Sequence, residues 1–98
     1  MKAEQLFKRR VVLAENAFAE LVIWEVAEPI SGSKHFYKYR LAFVHSGVCV
    51  LRYDNEAGKG DHKHIGIVEQ PYMFSDVDQL INDFLEDIRR WQYEHSNP

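Results

Sequence analysis

Hydrophobic and polar positions divide the chain into a β-rich first part and one helix at the end. The run Ala17 to Val26 (AFAELVIWEV) has β-branched and aromatic residues, with apolar side chains at both parities, which predicts a strand covered on both faces. A short β-rich run from Arg10 to Ala14 precedes it, and Glu15-Asn16 suits the turn of a hairpin. We expect the segment Lys2 to Arg9 to form a short helix ahead of this hairpin.

A second hairpin is predicted in the middle of the chain. Phe36 to His45 and Val48 to Asn55 are β-like runs separated by Ser46-Gly47, a dipeptide that suits a two-residue turn. With that turn Phe43 pairs with Val50, and the register slips by one if the turn is bulged. The turn end of this hairpin is apolar and its far end is polar.

The C-terminal segment has the clearest helical period. It follows a brief fifth strand from His64 to Val68, and Ser75 with Asp78 resembles a helix cap with an acidic first turn. Apolar residues then recur at spacings of three and four: Val77, Leu80, Ile81, Phe84, Leu85, Ile88 and Trp91. We therefore predict a single α+β domain over residues 1–98, an antiparallel sheet of four or five strands with a long C-terminal helix packed on one face.

Composition limits the classes of protein that remain. A chain of 98 residues with 46% hydrophobic and 28% charged residues is typical of one globular domain. No apolar run approaches the roughly 20 residues of a membrane span, so we expect no membrane association and a cytoplasmic location. A single cysteine, Cys49, excludes an intrachain disulfide, and its apolar neighbours predict that it is buried.

Charge is distributed unevenly along the chain. The net charge is −3, yet the segment Ser31 to Val68 has six basic and three acidic residues, whereas Ser75 to Pro98 has two basic and six acidic residues. The distribution of charge affects binding more than the sum does. The middle of the chain is therefore suited to an anionic ligand.

The densest chemistry lies in Arg52 to Ile65, RYDNEAGKGDHKHI. The loop Gly58-Lys59-Gly60 lets the backbone approach an anion and adds a point charge, although the spacing is not that of a P-loop. His62 and His64 share one face of an extended chain, where they can transfer protons or bind a metal with a carboxylate. The candidate carboxylates are Asp54, Glu56 and Asp61. A polar loop with surface histidines is the third interpretation.

Basic and aromatic residues meet at the polar end of the second hairpin. Lys38, Arg40 and Arg52 offer cations for phosphates, and Tyr53 offers a ring for bases. Such residues also solubilise an exposed strand, and Arg52 with Asp54 suits a structural ion pair. The residues that we predict to bind nucleic acid are Lys38, Tyr53, Asn55 and Lys63.

Three runs of the sequence resemble a known family. These are YKYRLAF from Tyr37 to Phe43, CVLRYDNE from Cys49 to Glu56, and GKGDHKHI from Gly58 to Ile65, which closely resemble the TumE-type family of small bacterial and archaeal proteins. The similarity extends over nearly the whole chain. Members of that family are regarded as toxins of two-gene toxin-antitoxin systems. The resemblance thus implies a toxin with a small DNA-binding antitoxin as its cognate partner, and it names no reaction.

These observations lead to one hypothesis and two alternatives. The hypothesis is a metal-independent endoribonuclease without a cofactor, in which histidines transfer protons and cations stabilise the phosphate charge. Its catalytic residues are His62, His64, Lys59, Arg52 and Arg40. The first alternative is a non-catalytic module that binds nucleic acid or protein. The second is a metal-dependent nuclease or hydrolase with the ligands Asp61, His62 and His64. An exposed sheet edge would also suit a homodimer.

Overall fold

The computed structural model describes residues 3–96, which form one six-stranded antiparallel sheet and one α-helix. The strands lie side by side in chain order. The elements are β1 (Ala3–Ala14), β2 (Ala17–Val26), β3 (Tyr37–His45), β4 (Val48–Glu56), β5 (Gly60–Ile65), β6 (Val68–Pro71) and α1 (Val77–Glu94). The α+β class with a C-terminal helix is confirmed, but the sheet has six strands, where four or five were predicted. Residues 3–96 contain one helix, α1. It is not long and apolar enough to span a membrane.

The first strand corrects the prediction of an N-terminal helix. Ala3 to Arg9 belongs to β1, which pairs with β2 from Ala3 opposite Val26 to Ala14 opposite Ala17. Helix propensity is a weak preference, and the long free edge of β2 offers this segment a hydrogen-bond partner along its whole length. Lys2, the first residue of the predicted helix, lies outside the described residues.

The segment from Gly58 to His64, which we predicted as a polar loop, is also mostly strand. Only residues 57–59 form a turn between β4 and β5, and Gly60–Ile65 is β5 itself. The predicted fifth strand, His64 to Val68, contains the turn Gly66-Ile67, which joins β5 to β6. Gly66 has φ 61°, a left-handed conformation that glycine adopts easily, and this turn produces the sixth strand.

The hairpin between β3 and β4 has the predicted two-residue turn and a shifted register. His45 pairs with Val48, and Ser46 and Gly47 both have positive φ, as in a type I′ turn. Beyond the turn, Phe43 faces Leu51 and not Val50, because β4 has a bulge there. The bulge places Leu51 on the same side of the sheet as Phe43.

The hydrophobic core lies between one face of the sheet and α1. Alternate residues of the central strands, including Leu21, Leu41 and Tyr53, pack with Leu80 and Phe84 of the helix. Burial of a large apolar side chain contributes about 1.5 to 3 kcal/mol, so this layer supplies most of the stabilisation. The helix begins one residue later than predicted, because the carboxylate of Asp76, and not Ser75, accepts a hydrogen bond from a first-turn amide.

The other face of the sheet has no second layer over it within the part of the chain that the structure describes. We call it the open face. Phe18, Val22 and Trp24 lie there and are only half-buried, so the prediction that β2 is covered on both faces is wrong. Cys49 pairs with Val44 on this face and is exposed, which corrects the prediction that it is buried.

Candidate functional site

Four ionisable residues of β4 and β5 converge on the open face. Arg52 pairs with His64 across the two strands, and Asp54 pairs with His62. Residues two apart in a strand point to the same side, so the register brings all four side chains together. We call Arg52, Asp54, His62 and His64 the open-face cluster.

The centre of the open-face cluster is a buried contact between a carboxylate and an imidazole. Asp54 is 5% exposed and His62 is 4% exposed. His62 Nε2 lies 2.7 Å from Asp54 Oδ1, and His62 Nδ1 lies 3.0 Å from the carbonyl oxygen of Gly60. The first contact lacks hydrogen-bond geometry, so Asp54 Oδ1 and His62 Nε2, like Arg52 Nε, have no hydrogen-bond partner within residues 3–96. Two buried polar atoms therefore face each other without satisfying one another.

Arg52 links the other two members of the cluster. Its Nε lies 3.1 Å from Asp54 Oδ2, and its Nη2 lies 3.0 Å from His64 Nε2. The ion pair between Arg52 and Asp54 that the sequence suggested is thus present. The guanidinium occupies one carboxylate oxygen and leaves Asp54 Oδ1 facing His62.

Glu69 of β6 borders the cluster and was missed by sequence reasoning. Its two carboxylate oxygens lie 4.0 Å from His62 Nε2 and 4.0 Å from His64 Nδ1. Lys59 Nζ lies 2.9 Å from Glu69 Oε1, and this hydrogen bond holds the pKa of the Glu69 carboxyl below its ordinary value and raises the pKa of Lys59. The available signal was Gly66, which marks a turn and hence a further strand with Glu69 opposite His64.

Two more of the predicted basic residues lie on the same face. Arg40 is exposed and pairs with Asp54 across β3 and β4. Lys38, also exposed, lies two residues earlier in β3, and its Nζ donates to the carbonyl oxygen of Asn55 at 3.1 Å. The open face therefore brings together every predicted catalytic residue: His62, His64, Lys59, Arg52 and Arg40.

The other residues that we predicted to bind nucleic acid make contacts within the protein. Tyr53 is fully buried on the helix side, where its hydroxyl donates to Asp87, and Lys63 Nζ lies 3.1 Å from the same carboxylate. Burial and the hydrogen bond to Asp87 raise the pKa of Tyr53. Asn55 is fully buried, and its side-chain oxygen accepts from the backbone N–H of Tyr39 at 3.0 Å. None of these three reaches the open face.

Asp61 faces away from the two histidines with which we had grouped it. It accepts hydrogen bonds from the hydroxyls of Tyr39 and Ser33, both at 2.6 Å, and its other close contact is His35 Nε2 at 2.7 Å. Asp61 therefore does not complete a metal site with His62 and His64. Asp54 takes that place, because Asp54, His62 and His64 each offer one ligand atom, and these atoms lie within 4.8 Å of one another.

The sequence matches a known protein family over most of its length. The family model described as Toxin TumE matches residues 2–92. The chain belongs to the TumE toxin family. The TumE match spans all six strands and includes the whole open-face cluster, and a toxin family implies an antitoxin partner in general. No curated protein and no solved structure matched the chain.

Proposed function

We propose that this TumE-family toxin is an endoribonuclease with its active centre at the open-face cluster. The observation that carries the proposal is the convergence of two imidazoles, a guanidinium and a carboxylate on a sheet face that no second layer covers within residues 3–96. Imidazoles transfer protons near neutral pH, and a guanidinium stabilises charge on a phosphate. RNA is the substrate class that combines phosphates with an internal nucleophile, the ribose 2′-hydroxyl.

The two histidines have different surroundings. Both ring nitrogens of His62 face other protein atoms, Asp54 Oδ1 and the carbonyl oxygen of Gly60. The side chain of His64 is 23% exposed. Within residues 3–96 the one carboxylate near its Nδ1 is that of Glu69, at 4.0 Å. A residue that acts on the substrate must come within hydrogen-bond reach of it. The geometry therefore favours His64 as the ring that meets RNA and His62 as its support.

Basic residues extend from the cluster across the open face towards β1 and suit the phosphate backbone. Strand pairing places side chains of β1, β3 and β4 on the open face. Those that bear a positive charge are Lys8, Arg10, Lys38, Arg40 and Arg52. Phosphate contacts from such residues would position an RNA strand, and its affinity would fall steeply as the salt concentration rises. The acidic residues of α1 lie on the opposite side of the sheet, away from this surface.

In the proposed reaction, the 2′-oxygen loses its proton to a base at the cluster and attacks the adjacent phosphorus. The bond from phosphorus to the 5′-oxygen breaks, and the leaving oxygen takes up a proton. The products are a 2′,3′-cyclic phosphate end and a 5′-hydroxyl end. Arg52 and Arg40 would stabilise the extra negative charge on the phosphate oxygens.

The test compares purified wild-type protein with His64→Ala and with Arg89→Ala, an exposed helix variant, on a labelled single-stranded RNA. We expect cleavage by the wild type and by Arg89→Ala, and a loss of at least about 100-fold in His64→Ala, the scale of general acid-base catalysis. Cyclic phosphate ends on the products would support the reaction. RNA that is bound but stays intact, while expression of the wild type still arrests growth, would favour the non-catalytic module instead.

A further inference from the structure

We infer that the open-face cluster binds one divalent transition-metal ion through Asp54, His62 and His64, with Glu69 as a fourth ligand. The site is the one in which we place the ribonuclease, but the inference needs no RNA. Metal binding can therefore be tested, and can fail, separately from RNA cleavage.

Two buried atoms without hydrogen-bond partners in residues 3–96, Asp54 Oδ1 and His62 Nε2, point to a bound cation. If His62 Nδ1 carries the proton, it donates to the carbonyl oxygen of Gly60, 3.0 Å away. His62 Nε2 then presents a lone pair to Asp54 Oδ1 at 2.7 Å, and neither atom has a hydrogen bond within residues 3–96. Two acceptors this close need a positive charge at the contact, which either a proton on Nε2 or a metal ion supplies. A metal ion next to both atoms removes the conflict.

The hydrogen bond on the other nitrogen of His62 is also typical of a metal ligand. Metal-ligating histidines usually donate their other ring N–H to a carbonyl or a carboxylate, which fixes the tautomer, and the contact between His62 and Gly60 has this form. His62 is thus held as a metal ligand is held.

The candidate ligand atoms are also spaced closely enough to hold one ion. Ligand atoms at about 2.1 Å from a tetrahedral ion lie about 3.4 Å apart. The candidate atoms of Asp54, His62 and His64 lie within 4.8 Å of one another, and the Glu69 oxygens lie 4.0 Å from both imidazoles. Coordination requires Asp54 Oδ1 and His62 Nε2 to move apart from 2.7 Å, and the Glu69 carboxylate to leave its contact with Lys59. Glu69 is on the surface and His64 is only partly buried, so both side chains can turn towards an ion.

Arg52 competes with the metal for His64. Its Nη2 lies 3.0 Å from His64 Nε2, which accepts a hydrogen bond only while it carries no proton. Coordination through His64 Nδ1 moves the ring proton to Nε2 and breaks that hydrogen bond. The guanidinium must then turn away, and its positive charge opposes the ion in either position. Removal of Arg52 should therefore strengthen metal binding.

The ligand set indicates the class of metal. Two imidazoles with carboxylate oxygens suit Zn²⁺, Mn²⁺, Co²⁺ and Ni²⁺, whereas Mg²⁺ and Ca²⁺ prefer oxygen ligands alone. With the ion bound, His64 is a ligand, and a water molecule on the ion becomes the candidate base for the proposed RNA cleavage. This would replace the metal-independent chemistry that the two histidines first suggested.

The binding test uses the full chain after treatment with EDTA and dialysis. Titration with Zn²⁺ is followed by calorimetry, and titration with Co²⁺ by its visible absorption. We expect one site, with an affinity at least about 10-fold lower in His64→Ala and in Asp54→Asn, and unchanged in His95→Ala, a histidine outside the cluster. Circular dichroism of each variant checks that it is folded. An absence of binding, or equal binding in all variants, would overturn the inference.

Arg52→Met separates this inference from the proposed function. We expect Zn²⁺ to bind several-fold more tightly to Arg52→Met than to the wild type, while RNA cleavage falls because the phosphate loses a charged partner. Weaker Zn²⁺ binding in this variant would contradict the proposed competition. Metal binding without RNA cleavage would support the metal site and contradict the proposed ribonuclease activity. RNA cleavage that persists in EDTA, by a protein that binds no Zn²⁺, would support the ribonuclease activity and contradict the metal site.

Discussion

The two faces of the sheet are made by alternate residues of the same strands, yet their polar groups behave differently. On the covered face, Tyr53, Asn55 and Asp61 form hydrogen bonds within the protein, Tyr53 with the helix and the other two with β3 and the loop before it. On the open face, Asp54 and His62 are also buried, but each has an atom without a hydrogen-bond partner in the part of the chain that the structure describes. Buried polar groups are normally satisfied where they serve the fold, so the unsatisfied pair marks the face that we assign to function.

The largest expected effect is the loss of a core side chain from the covered face. Phe84→Ala should lower the free energy of unfolding by about 3 to 5 kcal/mol, because the fully buried ring leaves a cavity. Arg40→Ala on the open face should change it by no more than about 0.5 kcal/mol. Urea unfolding followed by circular dichroism measures both. Similar values for the two variants would contradict the division between the faces.

The next effect concerns a close approach that fixes the start of β5. A Cβ on Gly60 would lie 2.7 Å from the carbonyl oxygen of Gly32, and Gly60 has φ 76°. Gly60→Ala should therefore cost about 2 to 4 kcal/mol through strain and overpacking. Gly58→Ala is the matched control, since Gly58 also has a positive φ but has open space around it, and it should cost about 1 to 2 kcal/mol. Equal unfolding midpoints would show that the close approach is unimportant.

A polar residue on the covered face should affect stability without affecting function. Asp87 accepts from Tyr53 and contacts Lys63, so Asp87→Ala leaves both without their partner and should cost about 1 to 3 kcal/mol. At a temperature where the variant is folded, its RNA cleavage and Zn²⁺ affinity should equal those of the wild type. A loss of either activity in folded Asp87→Ala would return Tyr53 and Lys63 to the candidate site.

Alkaline pH should weaken the covered face selectively. Burial, together with hydrogen bonds to Asp61, Asp87 and Asp83, raises the pKa of Tyr39, Tyr53 and Tyr72. The unfolded chain ionises its tyrosines near pH 10, so the stability that these groups contribute is complete below about pH 10 and declines above it. Urea unfolding between pH 9 and 11 should show this decline, and Tyr72→Phe should make it shallower. A flat profile would contradict the shifts.

The smallest effect is a chemical test at the end of the open face. Cys49 is exposed, so a thiol reagent should label it in the folded protein at a rate within a few-fold of that in urea. Labelling that occurs only after unfolding would place Cys49 under a covering layer and contradict the open face there.

Sequence patterns predicted the helix and the two hairpins, because these depend on local period and turn residues. The predictions failed where pairing between strands decided the outcome. Ala3 to Arg9 became a strand because β2 was available, and the short strand with Glu69 depended on the turn at Gly66. The third metal ligand changed from Asp61 to Asp54 for the same reason, since the register of β4 against β5 has no signature in either strand alone.

The bulge in β4 sets the parity of everything that follows it in that strand. Because one extra residue separates the turn from Leu51, odd-numbered positions such as Tyr53 enter the core and Arg52 and Asp54 enter the open face. Pairing of the same sequence without the bulge would place Val50 opposite Phe43 and invert this parity. Two charges would then point into the core and two large apolar side chains into solvent. A single backbone insertion thus separates the residues that build the fold from those that we assign to its chemistry.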